Sequence, residues 1–168
     1  MTTILFSPKH QMMVADTRLV LGERIFSETY QKLWRRDECI IGYAGSTSDE
    51  TQAVDNITHL INRPYSPISN LPATDGRALV WAPDTKIVYL YDHQSLIAFS
   101  DVGLQEPLAI GSGAEAALAL LHAGIHPREV LQHVSRVDYA TGGEWQHVAV
   151  GLKDSIIRER VVGKDDVQ

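Results

Sequence analysis

The chain has 168 residues, 44% of them apolar and 21% charged, enough to form a substantial core: a chain of this size removes roughly 70% of its extended surface from water on folding. A formal net charge of −6, from 15 Lys and Arg against 21 Asp and Glu, argues against a general nucleic-acid binder, and no apolar run approaches the ~20 residues of a membrane-spanning helix. One cysteine, Cys39, excludes an intramolecular disulfide and fits a reducing compartment. The opening Met-Thr-Thr-Ile-Leu-Phe-Ser-Pro-Lys lacks the basic and long apolar regions of a secretory signal, so a cytoplasmic protein is expected.

In chain order, residues 3–6 and 11–15 read as two strands joined by a turn at Ser7-Pro8-Lys9-His10, and residues 25–34 and 38–43 as a second hairpin turning near Arg36-Asp37. Cys39 lies in an apolar stretch and reads as packing; Arg35 and Arg36 read as a solvated edge. Ala44-Gly45-Ser46-Thr47-Ser48-Asp49 breaks the strand pattern, and Ala53, Val54, Ile57, Leu60 and Ile61 follow at helical spacing over about 48–61. Residues 65–76 read as loop; 77–81, 86–91 and 95–100 as a meander; 108–110 as a short strand. Ser112 and Glu115 form a capping-box pattern ahead of a helix that Gly124 ends. A second helix opens at Pro127, with Val130, Leu131, Val134 and Val137 expected on one face, and Thr141-Gly142-Gly143 stops it. Residues 145–152 and 155–162 close with a hairpin around Lys153-Asp154, and 163–168 read as a frayed tail. Two antiparallel sheets with helices on their outer faces would bury all these apolar faces within a single domain, 1–168.

Chemistry is concentrated at the start. Once Met1 is trimmed, Thr2 carries a hydroxyl and a primary amine in one residue, and an unperturbed α-amine titrates at about 7.7–8.0, within range of a base at neutral pH. Asp16-Thr17-Arg18 ends a strand, and Lys32 lies in the following hairpin. The seven histidines show no metal-ligand spacing: His122 and His126 are four apart but Gly124 breaks the helix between them, and His147 reads as a strand-face residue. Gly111-Ser112-Gly113 lacks the Gly-Lys-Ser/Thr of a phosphate loop.

Thr2-Thr3-Ile4, Ala15-Asp16-Thr17-Arg18, Gln31-Lys32-Leu33, Gly42-Tyr43-Ala44-Gly45-Ser46, Ile110-Gly111-Ser112-Gly113 and Asp138-Tyr139-Ala140-Thr141-Gly142-Gly143 stand in the order and near the spacing of a known pattern. Together they resemble the proteasome β-subunit and HslV family of N-terminal-nucleophile hydrolases, with Thr141 where that family has Ser. The resemblance implies an α+β, four-layer αββα sandwich. It implies Thr2 as nucleophile and base, Lys32 as a buried ammonium beside it, and Asp16 as the partner of Lys32. The Gly45 N–H would stabilise the oxyanion, and Ser112, Asp138 and Thr141 would orient the amine. Leu19, Tyr30, Tyr43 and Thr47 match the family's substrate pocket and imply an apolar, rather filled one. The family's second helix after the oxyanion glycine is reduced or missing here. The activity implied is a threonine peptidase acting on peptide or unfolded protein, in a homo-oligomeric ring or related assembly, with an ATP-dependent unfoldase as candidate partner and no cofactor or metal. A non-peptidase amidohydrolase on the same fold, and a silent assembly protein, stand as alternatives.

Overall fold

The computed structural model describes residues 2–63, 72–92, 95–150 and 156–159. Met1, whose removal the sequence reading requires, the turn expected at 153–154 and the tail at 163–168 lie outside these residues, as do 64–71 and 93–94. The architecture is the expected sandwich. One sheet runs β10 (Leu108–Gly111), β1 (Thr3–Ser7), β2 (Met12–Asp16), β11 (Trp145–Ala149), β12 (Ile157–Glu159). The other runs β5 (Leu33–Arg36), β6 (Cys39–Ala44), β7 (Arg77–Ala82), β8 (Ile87–Asp92), β9 (Ser95–Ser100). All pairings are antiparallel.

Alternation along the strands sorts the apolar residues into layers. Ile4 and Phe6 of β1, Met13 and Ala15 of β2 and Val148 of β11 meet Leu33, Ile40, Leu79, Trp81 and Val88 of the second sheet. The Phe6 and Trp81 rings lie 5.4 Å apart, tilted by 51°. The residues between them in sequence, Leu5, Val14, Trp145 and Ala149, face outward and are covered by α2 (Ala114–His122) and α3 (Pro127–Val134) through Ala117, Val130, Leu131 and Val134. On the opposite side, α1 (Glu50–Asn62) lays Ala53, Val54, Ile57 and Leu60 over Cys39, Ile41, Tyr43, Ala78 and Val80. Cys39 is therefore core packing, as its apolar context implied. Every residue of β1 and β2 is buried because both faces of the sheet are covered. Among the described residues α1 is the one helix between β6 and β7.

Three local expectations fail. Residues 25–34 are not one strand: β3 (Leu19–Leu21) and β4 (Arg24–Ser27) form a separate two-stranded ribbon. Gly22, at φ +60°, reverses the chain there, a conformation a side chain disfavours. The chain then crosses to the second sheet, so Lys32 immediately precedes β5 instead of lying within a strand. The Ser112–Glu115 capping box does not form: Gly113 is the N-cap of α2, without a side-chain bond, because the Ser112 hydroxyl donates elsewhere. Val137 falls past the end of α3 and is 77% exposed. Pro127 does open α3, whose N-cap His126 accepts the Arg128 N–H.

Two measurements test this packing. Phe6→Ala removes a fully buried ring from the inter-sheet layer and should cost about 3–5 kcal/mol in urea unfolding. His147, buried on the helix-facing side of β11 near Glu159 and Arg128, is held below its ordinary value by burial. The unfolded chain then binds the extra proton first, so this stability is fully present above about pH 6.5 and is lost progressively as pH falls from there through the lower folded value. The urea midpoint of His147→Leu should depend less on pH between 7 and 5.5 than that of the unaltered chain.

Candidate active site

β1 begins beside the pivot of the site, Asp16, at the end of β2. Antiparallel pairing of Ile4 with Ala15 brings the first residues of the chain level with that strand end. The Asp16 carboxylate is fully buried and saturated. Its Oδ1 accepts from the Thr3 N–H at 2.9 Å and from the Lys32 ammonium at 2.8 Å; its Oδ2 accepts from the Gly142 N–H at 3.1 Å and the Arg18 N–H at 3.2 Å. The Lys32 ammonium, 2% exposed, also donates to the Arg18 carbonyl at 2.6 Å. Burial pushes the Lys32 ammonium down and the Asp16 carboxyl up, while their mutual attraction opposes both. One carboxylate oxygen thus holds the ammonium against the peptide that joins residues 2 and 3.

Thr2 lines a cavity of about 260 Å³ together with Ala44, Gly45, Ser46, Asp75, Gly111 and Ser112. Among the described residues its hydroxyl has no hydrogen-bond partner. Its carbonyl accepts the Ser112 N–H at 2.9 Å. That bond requires Gly111: at φ +96° a Cβ there would lie 1.7 Å from the Thr2 oxygen. Gly45 is glycine for a reason the sequence did not suggest. Its Cβ would meet the Tyr43 hydroxyl at 2.3 Å, so the missing side chain makes room for that phenol.

Behind Thr2 runs a chain of short hydrogen bonds. Ser112 donates to Asp138 Oδ2 at 2.7 Å, Thr141 donates to the same oxygen at 2.6 Å, and the Thr141 and Thr3 hydroxyls lie 2.5 Å apart. Thr3 Oγ1 in turn accepts the Gly113 N–H at 3.1 Å. Burial alone would raise the Asp138 carboxyl, but the bonds from Thr141, Ser112 and the Ala140 N–H outweigh it and hold Asp138 below the ordinary carboxylate range. The structure therefore brings Thr2, Asp16, Lys32, Gly45, Ser112, Asp138 and Thr141 to one end of the sandwich.

Leu19, Tyr30, Tyr43 and Thr47 do not line the Thr2 cavity. Leu19 is buried at the base of the β3–β4 ribbon, Thr47 is exposed, and Tyr43 packs beneath α1. The Tyr30 hydroxyl donates to the Glu50 carboxylate at 3.1–3.2 Å. Sequence reading missed three participants. Asp75 lines the cavity and accepts the Ser46 N–H at 3.3 Å; it follows a loop with no motif of its own. Thr3 was legible only as a strand residue. Gln146 bonds the backbone of Lys32 from the opposite sheet, a contact between residues 114 apart.

The fold has counterparts among solved structures. Eukaryotic HslV from Trypanosoma brucei superposes with a TM-score of 0.66 at 22% identity, over 87% of this chain and 97% of that one. The chain shares its fold with HslV. Thiobacillus denitrificans BPH superposes with a TM-score of 0.63 at 16% identity, over 96% of this chain and 100% of the other. No protein-family model and no curated protein sequence matches the chain. The expected four-layer sandwich is thus the HslV fold, and no helix among the described residues is long and apolar enough to cross a membrane.

Thr3→Val keeps the shape of the side chain but leaves the Gly113 N–H without its acceptor and removes the hydroxyl donor to the Thr141 oxygen. It should lower stability by about 1–3 kcal/mol in urea unfolding, whereas Thr3→Ser should stay near the unaltered chain.

Proposed function

We propose that the chain is a threonine peptidase whose nucleophile is the Thr2 hydroxyl, freed as the amino-terminal residue by removal of Met1. The observation that carries this reading is the single Asp16 oxygen shared by the Lys32 ammonium and the Thr3 N–H, which fixes a positive charge one peptide away from Thr2. The Thr2 hydroxyl attacks the substrate carbonyl carbon and passes its proton to the Thr2 amine. The Lys32 ammonium lowers the pKa of both groups, and its pairing with Asp16 makes the buried charge tolerable. The Gly45 N–H receives the developing oxyanion. Ser112, Asp138 and Thr141 orient the amine. The tetrahedral intermediate collapses to an ester on Thr2 as the leaving amine takes the proton back. Water, deprotonated by the same Thr2 amine, then hydrolyses the ester.

The fold shared with HslV supports this reading at the level of architecture, and extends it to assembly: a homo-oligomeric ring or related shell in the cytoplasm, with an ATP-dependent unfoldase delivering unfolded protein.

Intact-mass measurement with a peptide epoxyketone tests the chemistry. The expected result is loss of the Met1 mass and one covalent adduct on Thr2. A chain that keeps Met1 and takes no label would overturn the proposal in favour of a silent assembly protein. A labelled chain that hydrolyses small amides but no peptide in a substrate panel would place it among the amidohydrolases. Thr2→Ala should lose labelling and turnover with its fold intact. Lys32→Ala should lose both and also about 3–5 kcal/mol of stability, because Asp16 is left buried without its cation.

A further inference from the structure

Most of the inter-sheet layer is apolar, and Gln146 places a primary amide in it. Alternation along β11 turns Trp145, His147 and Ala149 toward the helices and Gln146 and Val148 toward the second sheet. Gln146 is fully buried, and a buried amide is costly unless it is hydrogen-bonded. Its Oε1 accepts two backbone donors, the Lys32 N–H at 2.7 Å and the Leu33 N–H at 3.1 Å. Its Nε2 is buried with no partner among the described residues. Packing alone would be served by an apolar side chain of the same length; what the glutamine adds is an acceptor for these two N–H groups.

Those donors lie where the chain arriving from the β3–β4 ribbon enters β5. Upstream of that point the Tyr30 N–H bonds the Thr17 carbonyl, and downstream Leu33 pairs with Gly42 in the sheet. Lys32 stands between these anchors, and the position at which its Cα is held sets the reach of its side chain to Asp16. We infer that Gln146 is the positioning residue for Lys32. By clamping the Lys32–Leu33 backbone from the first sheet, it sets where the ammonium stands against Asp16 and residue 2. The inference rests on the reading of Thr2 given above.

The test uses the full chain and follows the rate of Thr2 modification by a peptide epoxyketone against pH, by intact mass, with hydrogen exchange of the peptide spanning Lys32 and Leu33. Gln146→Met keeps the length and removes the acceptor. Without the clamp the ammonium lowers the Thr2 amine less, so the midpoint of the rising limb should move up by about one unit and labelling at pH 7 should slow by up to about tenfold. Exchange at the Lys32–Leu33 peptide should quicken. Val148→Ala, in the same strand and layer, should lower stability while leaving the midpoint in place. An unmoved midpoint in Gln146→Met, whatever its stability, overturns the inference, as does unchanged exchange. Should Gln146→Met not fold, Gln146→Asn, one methylene too short to span the gap, carries the same expectations. Absence of labelling in the unaltered chain would instead overturn the reading of Thr2, while the exchange comparison would still report on the clamp.

Discussion

A carboxylate with no exposed surface and four donors around it governs this end of the molecule. Asp16 joins β1 through the Thr3 N–H, the segment after β2 through the Arg18 N–H, the entry to β11 through the Gly142 N–H, and the second sheet through the Lys32 ammonium. Each bond satisfies a group that burial would otherwise leave costly, and together they offset the desolvation of both charges. Three of these bonds, from Thr3, Lys32 and Gly142, fix β2 against segments that lie elsewhere in the sequence. The geometry around Thr2 follows from that constraint.

Around the pair the fold uses backbone as much as side chains. Thr17 and Arg18 both donate their N–H groups to the Gly142 carbonyl, and the Thr17 hydroxyl bonds the carbonyls of Glu28 at 2.5 Å and Glu144 at 2.8 Å. The loop after α3 and the strand that leads to Lys32 are thereby tied to one turn. Asp138 and Thr141 lie on that loop, so the hydroxyl network behind Thr2 and the ammonium in front of it share a common support. Gln146 extends the support across the sandwich. A site assembled from so many elements is rigid only when all of them are packed, which links its geometry to the burial of the inter-sheet layer.

Local electrostatics divide the charged groups into two kinds. Asp138 stays ionised because hydroxyl and amide donors favour its charged form. Asp16 and Lys32 keep their charges through each other, against burial that opposes both. Surface pairs such as Arg35 with Glu38, 3.9 Å apart and both exposed, stand in water and contribute little by comparison.

The amino-acid sequence by itself determined the order of the helices and of the strands of the two large sheets, the apolar faces of α1 and α3, and the identity of the polar residues at one end of the sandwich, because these depend on period and on residue chemistry within short windows. It misplaced Val137 and the Ser112 cap, since a helix end and a hydroxyl's choice of partner are settled by what lies across the fold. It read residues 25–34 as one strand because nothing local reveals that β4 pairs with β3 and leaves Lys32 on a crossing segment. The roles of Asp75, Thr3 and Gln146 were decided by tertiary structure alone. Each acts through a contact with a residue distant in the chain, and such contacts exist only after the two sheets have closed on one another.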